Sequence, residues 1–213
     1  MRISVKAISA PIALWLFMAS FPALSEGFGM LNGRTADISR LPDTSVEAGA
    51  LFGDLFDVDY EHFGTRFNYR VNPTTMAYGD LGHSDLNSRA DGIAFGLGAF
   101  FQMDGILSEN DFAVHASVHR AKLEASGFAD DTITVIAVEG FFSGREPIGA
   151  NQNMFWNANV GLTRASSDGN SDTELTFGGG VVARNASNSG EIFVGVLYIE
   201  DLAFGGGYRH FLD

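Results

Sequence analysis

After residue 44 the chain alternates. A bulky apolar residue stands at every second position for some ten residues, a polar turn follows, and the unit recurs about ten times. Period two belongs to β-strands with one apolar face and one polar or very small face. The segments are 45–53, 62–71, 75–82, 92–102, 112–123, 132–142, 154–164, 174–184, 192–199 and 202–212. In 62–71, Phe63, Phe67, Tyr69 and Val71 oppose His62, Arg66, Asn68 and Arg70. The segment 75–82 carries a weaker signal, and 132–142 is apolar on both faces. Turn chemistry separates them, as in Asn72-Pro73, Asp104-Gly105 and Asn185-Ala186-Ser187-Asn188. No stretch sustains a 3.6-residue period, so no helix is expected beyond the N-terminal region. The expected fold is all-β: one transmembrane, antiparallel, up-and-down β-barrel of ten strands, or eight if 45–60 or 75–90 is irregular.

A soluble barrel also alternates, so the second face decides where the bulky residues point. In 92–102, Ile93, Phe95, Leu97 and Phe101 oppose Gly92, Ala94, Gly96 and Gly98. A face without side chains packs nothing and protects nothing in water. Inside a narrow barrel, where space is short, the same face fits. The bulky face is then turned to lipid, and tilted strands of about ten residues cross an apolar band of roughly 25 Å.

The N-terminus reads as an export signal. Arg2 and Lys6 precede the mostly apolar run 8–21, and Ala23-Leu24-Ser25 places small residues before a cleavage at Glu26. The competing reading is a membrane helix, but the run is interrupted by Pro11 and falls short of the roughly 17–25 residues a span requires. Residues 1–25 are thus expected to be the signal peptide, 26–44 a flexible lead-in partly tucked into the barrel, and 45–213 the barrel domain. The expected location is the outer membrane of a Gram-negative bacterium.

Removing residues 1–25 takes away Arg2 and Lys6 and no acidic residue, so the net charge moves from −13 to −15. Such a charge excludes nucleic acid and anionic lipid as charge-driven partners. The absence of Cys excludes disulfides and thiolate metal sites. Past residue 25 the only lysine is Lys122, against ten arginines. Soluble β-proteins protect their edges with Lys, whereas arginine suits enclosed, forked ion pairs.

The C-terminal run Gly205-Gly206-Gly207-Tyr208-Arg209-His210-Phe211-Leu212-Asp213 resembles the last strand of small bacterial outer-membrane β-barrel proteins of the OmpA-type and porin-like kind. In that family a glycine precedes alternating aromatics near the end. Here the chain closes on Leu212-Asp213, and His210 stands where the pattern has an apolar residue. The resemblance implies that Gly205, Tyr208 and Phe211 form a signal for the barrel-assembly machinery. It also implies outer-membrane lipid and lipopolysaccharide as surroundings.

The charged positions suggest three kinds of chemistry. His62, Arg66, Arg70, Glu139, Arg164, Glu174 and Arg184 are candidates for lumen ion pairs or for a charged constriction, with Glu47 and Glu124 as further partners. Buried charges are tolerable when paired, and a narrow barrel is usually filled, so structural pairs are the favoured reading. Asp54, Asp57, Asp59 and Glu61 crowd the first turn and offer hard oxygen ligands for Ca²⁺ or Mg²⁺, although a solvated acidic turn is the simpler expectation. The run Asp168-Gly169-Asn170-Ser171-Asp172 is similar but lacks calcium-loop spacing. His115 and His119 sit four apart, roughly 13 Å along a strand and too far to share an ion. Ser117 lies between them, yet no Ser/His/acid set emerges. No catalytic residue and no cofactor is expected. The expected role is structural or surface-interactive, with a polar, largely filled lumen. The alternatives are a narrow passive channel and a lipid-modifying enzyme.

Overall fold

A computed structural model gives the architecture and describes residues 31–55, 58–86, 90–107, 109–125, 131–144, 148, 153–167, 170–199 and 201–212. Ten antiparallel strands form a closed barrel. They are β1 (Thr44–Leu55), β2 (Val58–Asn72), β3 (Thr75–Leu86), β4 (Ala90–Gln102), β5 (Asn110–Ala125), β6 (Asp131–Gly144), β7 (Met154–Ser167), β8 (Asn170–Arg184), β9 (Gly190–Ile199) and β10 (Asp201–Phe211). Each strand pairs with its neighbour in sequence, and β1 closes on β10 from Ser45↔Phe211 to Gly53↔Ala203. The sequence expectation of ten strands holds, with most strands longer than their alternating core.

Period two fixes which side chains point out. Phe63, Phe67, Leu81, Ile93, Phe95, Leu97, Leu162, Leu175, Val194 and Phe204 stand on the outer surface, Leu97 at 64% exposure. The glycine-rich face lines the lumen, where bulky side chains lie across it. A Cβ at Gly98 would strike the Tyr78 ring, and one at Gly96 would strike His119.

Two segments that read ambiguously have local causes. β3 reverses the size rule: Met76 and Tyr78 are buried inside while Ala77 and Gly79 face out. β6 is apolar on both faces because Ile133 and Val135 join Leu51, Tyr60, Leu86, Leu123, Leu197 and Ile199 in an apolar layer. That layer lies toward the end of the lumen that carries the β1–β2 hairpin. The polar lumen expected from sequence is therefore interrupted by this layer.

The described part of the lead-in enters the barrel. Residues 31–38 are almost wholly buried within the barrel. Ile38–Arg40 make one 3₁₀ turn, with the Asp37 carboxylate accepting from the Ser39 N–H. Ala36, Ile38 and Leu41 pack with Met76, Tyr78, Phe100, Ala113 and Phe141 in a second apolar layer. Connections at the far end are short, as between Ile199 and Asp201 or Leu55 and Val58, while Gly144 to Met154 and Gln102 to Asn110 span the termini end.

Candidate functional site

The register places charged residues side by side on the lumen wall. Asp80 on β3 faces Arg66 on β2. Arg66 faces Glu47 on β1, and Glu47 faces Arg209 on β10. Arg209 faces Glu191 on β9, and Glu191 faces Arg184 on β8. The result is a ladder of alternating sign across six consecutive strands, each member on the inward parity of its strand. Opposite charges at directly paired positions attract, and the enclosed setting weakens screening by water.

The side chains close most of these pairs. Arg66 donates to Asp80 Oδ2 from Nη2 at 2.9 Å and from Nε at 3.2 Å. Arg209 donates from Nε to Glu47 Oε1 at 2.8 Å and from Nη1 to Glu191 Oε2. Arg184 donates to Glu191 Oε1 from Nη2 at 2.7 Å. His119 reaches across Gly96 to Asp80 Oδ2, at 3.1 Å.

The N-terminal segment docks onto this ladder. Arg34 Nη2 donates to Glu47 Oε1 at 3.0 Å and to Asn68 Oδ1 at 2.7 Å, and both ionic side chains are fully buried. Its guanidinium carbon lies 4.4 Å from the Phe100 ring centre and 5.7 Å from that of Tyr78. The guanidinium is a cation at neutral pH, with the Glu47 carboxylate as its counter-charge. The Asn32 side chain accepts from Arg66 Nη1. The Gly33 carbonyl accepts from Arg209 Nη2 at 2.8 Å. The Ala36 N–H donates to Ser143 Oγ at 2.8 Å and the Ile38 N–H to Gln102 Oε1 at 2.7 Å. The Arg40 carbonyl accepts from Arg184 Nη2 at 2.8 Å.

A second polar chain lies beside the first. The Tyr78 hydroxyl meets His115 Nε2 at 2.9 Å, and His115 Nδ1 meets Glu139 Oε2 at 2.7 Å. Asn159 Nδ2 donates to Glu139 Oε1 at 2.8 Å. His115 stacks on Phe100, ring centres 4.3 Å apart. His115 and His119 thus serve different carboxylates, Glu139 and Asp80, and share no site.

Of the residues singled out from sequence, Arg66, Glu139 and Arg184 belong to these networks. His62 is buried in the lumen but pairs with Ser84 Oγ at 2.9 Å. Arg70 sits toward the termini end, where it pairs with the exposed Asp43 at 3.2 Å. Arg164 is a correction: it is exposed on the outer face and donates to Ser171. Thr163 takes the inward parity beside it and bonds Thr176. Glu124 is a second correction, being exposed and paired with Lys122 at 3.5 Å. Glu174 is half-buried on the lumen parity, opposite Thr163 and ten positions from Arg184 on the same strand, so those two do not meet.

Asp59 and Glu61 are exposed at the β1–β2 hairpin, while Asp57 and the Asp54 side chain lie outside the described residues. Among the described residues no cluster of three metal-ligating side chains forms. Gly205 lies against Leu31 inside. Tyr208 faces outward at the barrel surface. Phe211 has the opposite parity and lies 5.2 Å from the Arg184 guanidinium.

Sequence reasoning missed Arg34, Asp80, Glu191 and Arg209. Three of these have a sequence signal in principle, because they continue the inward parity of their strands. Arg34 has none, since the lead-in has no period.

The sequence matches no family model and no curated protein. Solved structures resemble it in fold. The β-domain of the Bordetella autotransporter Brka aligns over 79% of this chain and 98% of its own, at 12% identity and a TM-score of 0.54. The translocator domain of the autotransporter NalP from Neisseria meningitidis covers 97% of each chain at 13% identity and a TM-score of 0.40. A de novo designed transmembrane β-barrel covers 80% of this chain and 96% of its own, at 12% identity and a TM-score of 0.36. The first of these likenesses places the fold with that of an autotransporter β-domain.

Proposed function

We propose that this chain is a bacterial outer-membrane β-barrel with a structural role, its lumen held closed by its own N-terminal segment and by the apolar layer of strand side chains. The apolar outer surface supports the membrane setting, since soluble proteins rarely expose contiguous apolar patches beyond a few hundred Å². A closed barrel also pairs every strand edge, as lipid requires. The export signal at residues 1–25 and lipid-facing Phe and Leu side chains agree with that location. Outer-membrane lipid, lipopolysaccharide and the assembly machinery are its expected surroundings.

One observation carries the closed-lumen reading. Residues 32–40 bond to side chains from seven strands: Glu47, Asn68 with Arg66, Met76, Gln102, Ser143, Arg184 and Arg209. A conducting pore would leave such charges lining an open path. No catalytic role is assigned to the lumen histidines, which are enclosed by wall and segment.

Planar-bilayer recording tests the reading. The intact protein is expected to give no defined conductance steps, and deletion of residues 31–40 together with Ala at Leu86, Leu123 and Ile133 of the apolar layer is expected to produce them. Steps of equal size from both proteins would replace closure with the passive-channel alternative. Turnover of a phospholipid or lipopolysaccharide substrate by the purified barrel would replace it with the enzyme alternative.

A further inference from the structure

The residues that hold Arg34 belong to the barrel wall, not to the segment that carries Arg34. Glu47 is on β1, Asn68 on β2, Met76 and Tyr78 on β3, and Phe100 on β4. Together they offer a flat cation two hydrogen-bond acceptors in Glu47 Oε1 and Asn68 Oδ1, at 3.0 and 2.7 Å from Nη2. The Phe100 ring supplies a π-face at 4.4 Å, and Met76 Sδ accepts from Nη1 at 3.3 Å. Planar guanidinium groups stack on aromatic faces and are less strongly hydrated than ammonium groups. The wall is therefore shaped for that class of cation.

Charge balance points the same way. Arg34, Arg66, Arg184 and Arg209 offset Glu47, Asp80, Glu139 and Glu191 in formal charge across the two polar networks. Without Arg34 the set is left one negative charge in excess, centred on Glu47, whose Oε2 has no hydrogen-bond partner even with Arg34 in place. A buried excess charge is costly, so the emptied position favours a cation over water.

We infer that the lumen wall of β1–β4 is a guanidinium-binding site, filled in cis by Arg34, that takes a small guanidinium-bearing solute when Arg34 is removed. This inference rests on the closed-lumen reading, in which residues 31–41 occupy the barrel.

The test is Arg34→Ala protein in detergent micelles, followed by the temperature at which the compact band is lost on gels. Methylguanidinium chloride is the probe and methylammonium chloride the control, each at low millimolar concentration. The variant is expected to melt several degrees below the parent. Methylguanidinium should restore most of that loss in a saturable way, as mass action on a native-state site requires, and methylammonium should not. Adding Phe100→Leu should weaken the saturation by about thirtyfold, the scale of a desolvated cation–π contact. The parent, with Arg34 in place, should not respond.

Equal rescue by both cations, rescue by neither, or an equal response from the parent overturns the site. Arg34→Met, which keeps an apolar stem, replaces Arg34→Ala if the latter does not refold. Failure of both to refold with methylguanidinium present also overturns it. Bilayer recording separates the two readings. A variant that opens without discriminating between the cations removes the site and leaves closure standing. Discrimination by a barrel whose parent already conducts removes closure and leaves the site standing.

Discussion

Glu47→Gln isolates the charge at the centre of the lumen ladder. Gln keeps the shape and one carbonyl oxygen, so the bonds from Arg209 at 2.8 Å, Arg34 at 3.0 Å and Asn68 at 2.7 Å retain an acceptor. What disappears is the negative charge between two buried guanidiniums. Arg209 keeps Glu191, whereas Glu47 is the carboxylate to which Arg34 is bonded. Removing one partner of a buried pair costs about 3–5 kcal/mol, because the remaining charge is left uncompensated. A domain of this size loses about 2–4 °C of melting midpoint per kcal/mol, so the midpoint should fall by roughly 6–20 °C. The assay is the temperature at which folded protein in detergent loses its compact gel migration, at one fixed heating time. Glu124→Gln is the control. Its pair with Lys122 spans 3.5 Å with both side chains more than half exposed, and such pairs contribute less than about 1 kcal/mol. The double variant Arg34→Met with Glu47→Gln should lose less than the sum of the single losses, since Arg34 is then no longer a cation left facing a neutral partner. A Glu47→Gln midpoint no lower than that of Glu124→Gln refutes the ladder as a stabilising element.

Leu97→Arg places a charge mid-strand on the outer face and should cost about 2–4 kcal/mol when the barrel refolds into lipid vesicles; denaturant titration in vesicles measures it. Gly33→Val drives a side chain into the Phe193 ring, which a Cβ at Gly33 already meets; displacement of the segment should appear as a lower melting midpoint of the compact form on gels. Tyr78→Phe removes the hydroxyl at 2.9 Å from His115 Nε2 and should cost about 1–3 kcal/mol, the scale of a buried polar group left unsatisfied, read as a lower midpoint with an unchanged closed lumen.

Much of the architecture was written in the alternation. Phe95 and Leu97 against Gly96 and Gly98 distinguish outside from inside without further help, because only an enclosed face tolerates a strand surface with no side chains. β3 was hard to read because Met76 and Tyr78 fill the lumen against Arg34, which reverses the size rule locally. β6 was hard to read because the far lumen is apolar, so Ile133 and Val135 are buried while Ile136 and Val138 face out.

The ladder itself was only half legible. Parity alone identifies Arg66 and Arg184 as inward, and it also excludes Arg164, which follows the outward Leu162 by two. Pairing is a property of register, and register depends on hairpins that composition does not specify to the residue. Glu191 lies just before the alternating segment that starts at 192, and Arg209 lies within the C-terminal aromatic run, so composition sets neither against Glu47. Arg34 stands in an aperiodic segment, and its place is set by the cavity that the other ten elements leave.

The central claim concerns which face meets lipid. Because the chain has no Cys, single-cysteine variants can be labelled cleanly at Leu97, which is 64% exposed outside, and at Ser117, which is 7% exposed inside. Bimane fluorescence in vesicles containing brominated acyl chains reads the distance to lipid tails. The account predicts strong quenching at Leu97→Cys and almost none at Ser117→Cys. Equal quenching at both sites, or quenching of the Leu97→Cys label by aqueous iodide alone, would contradict it.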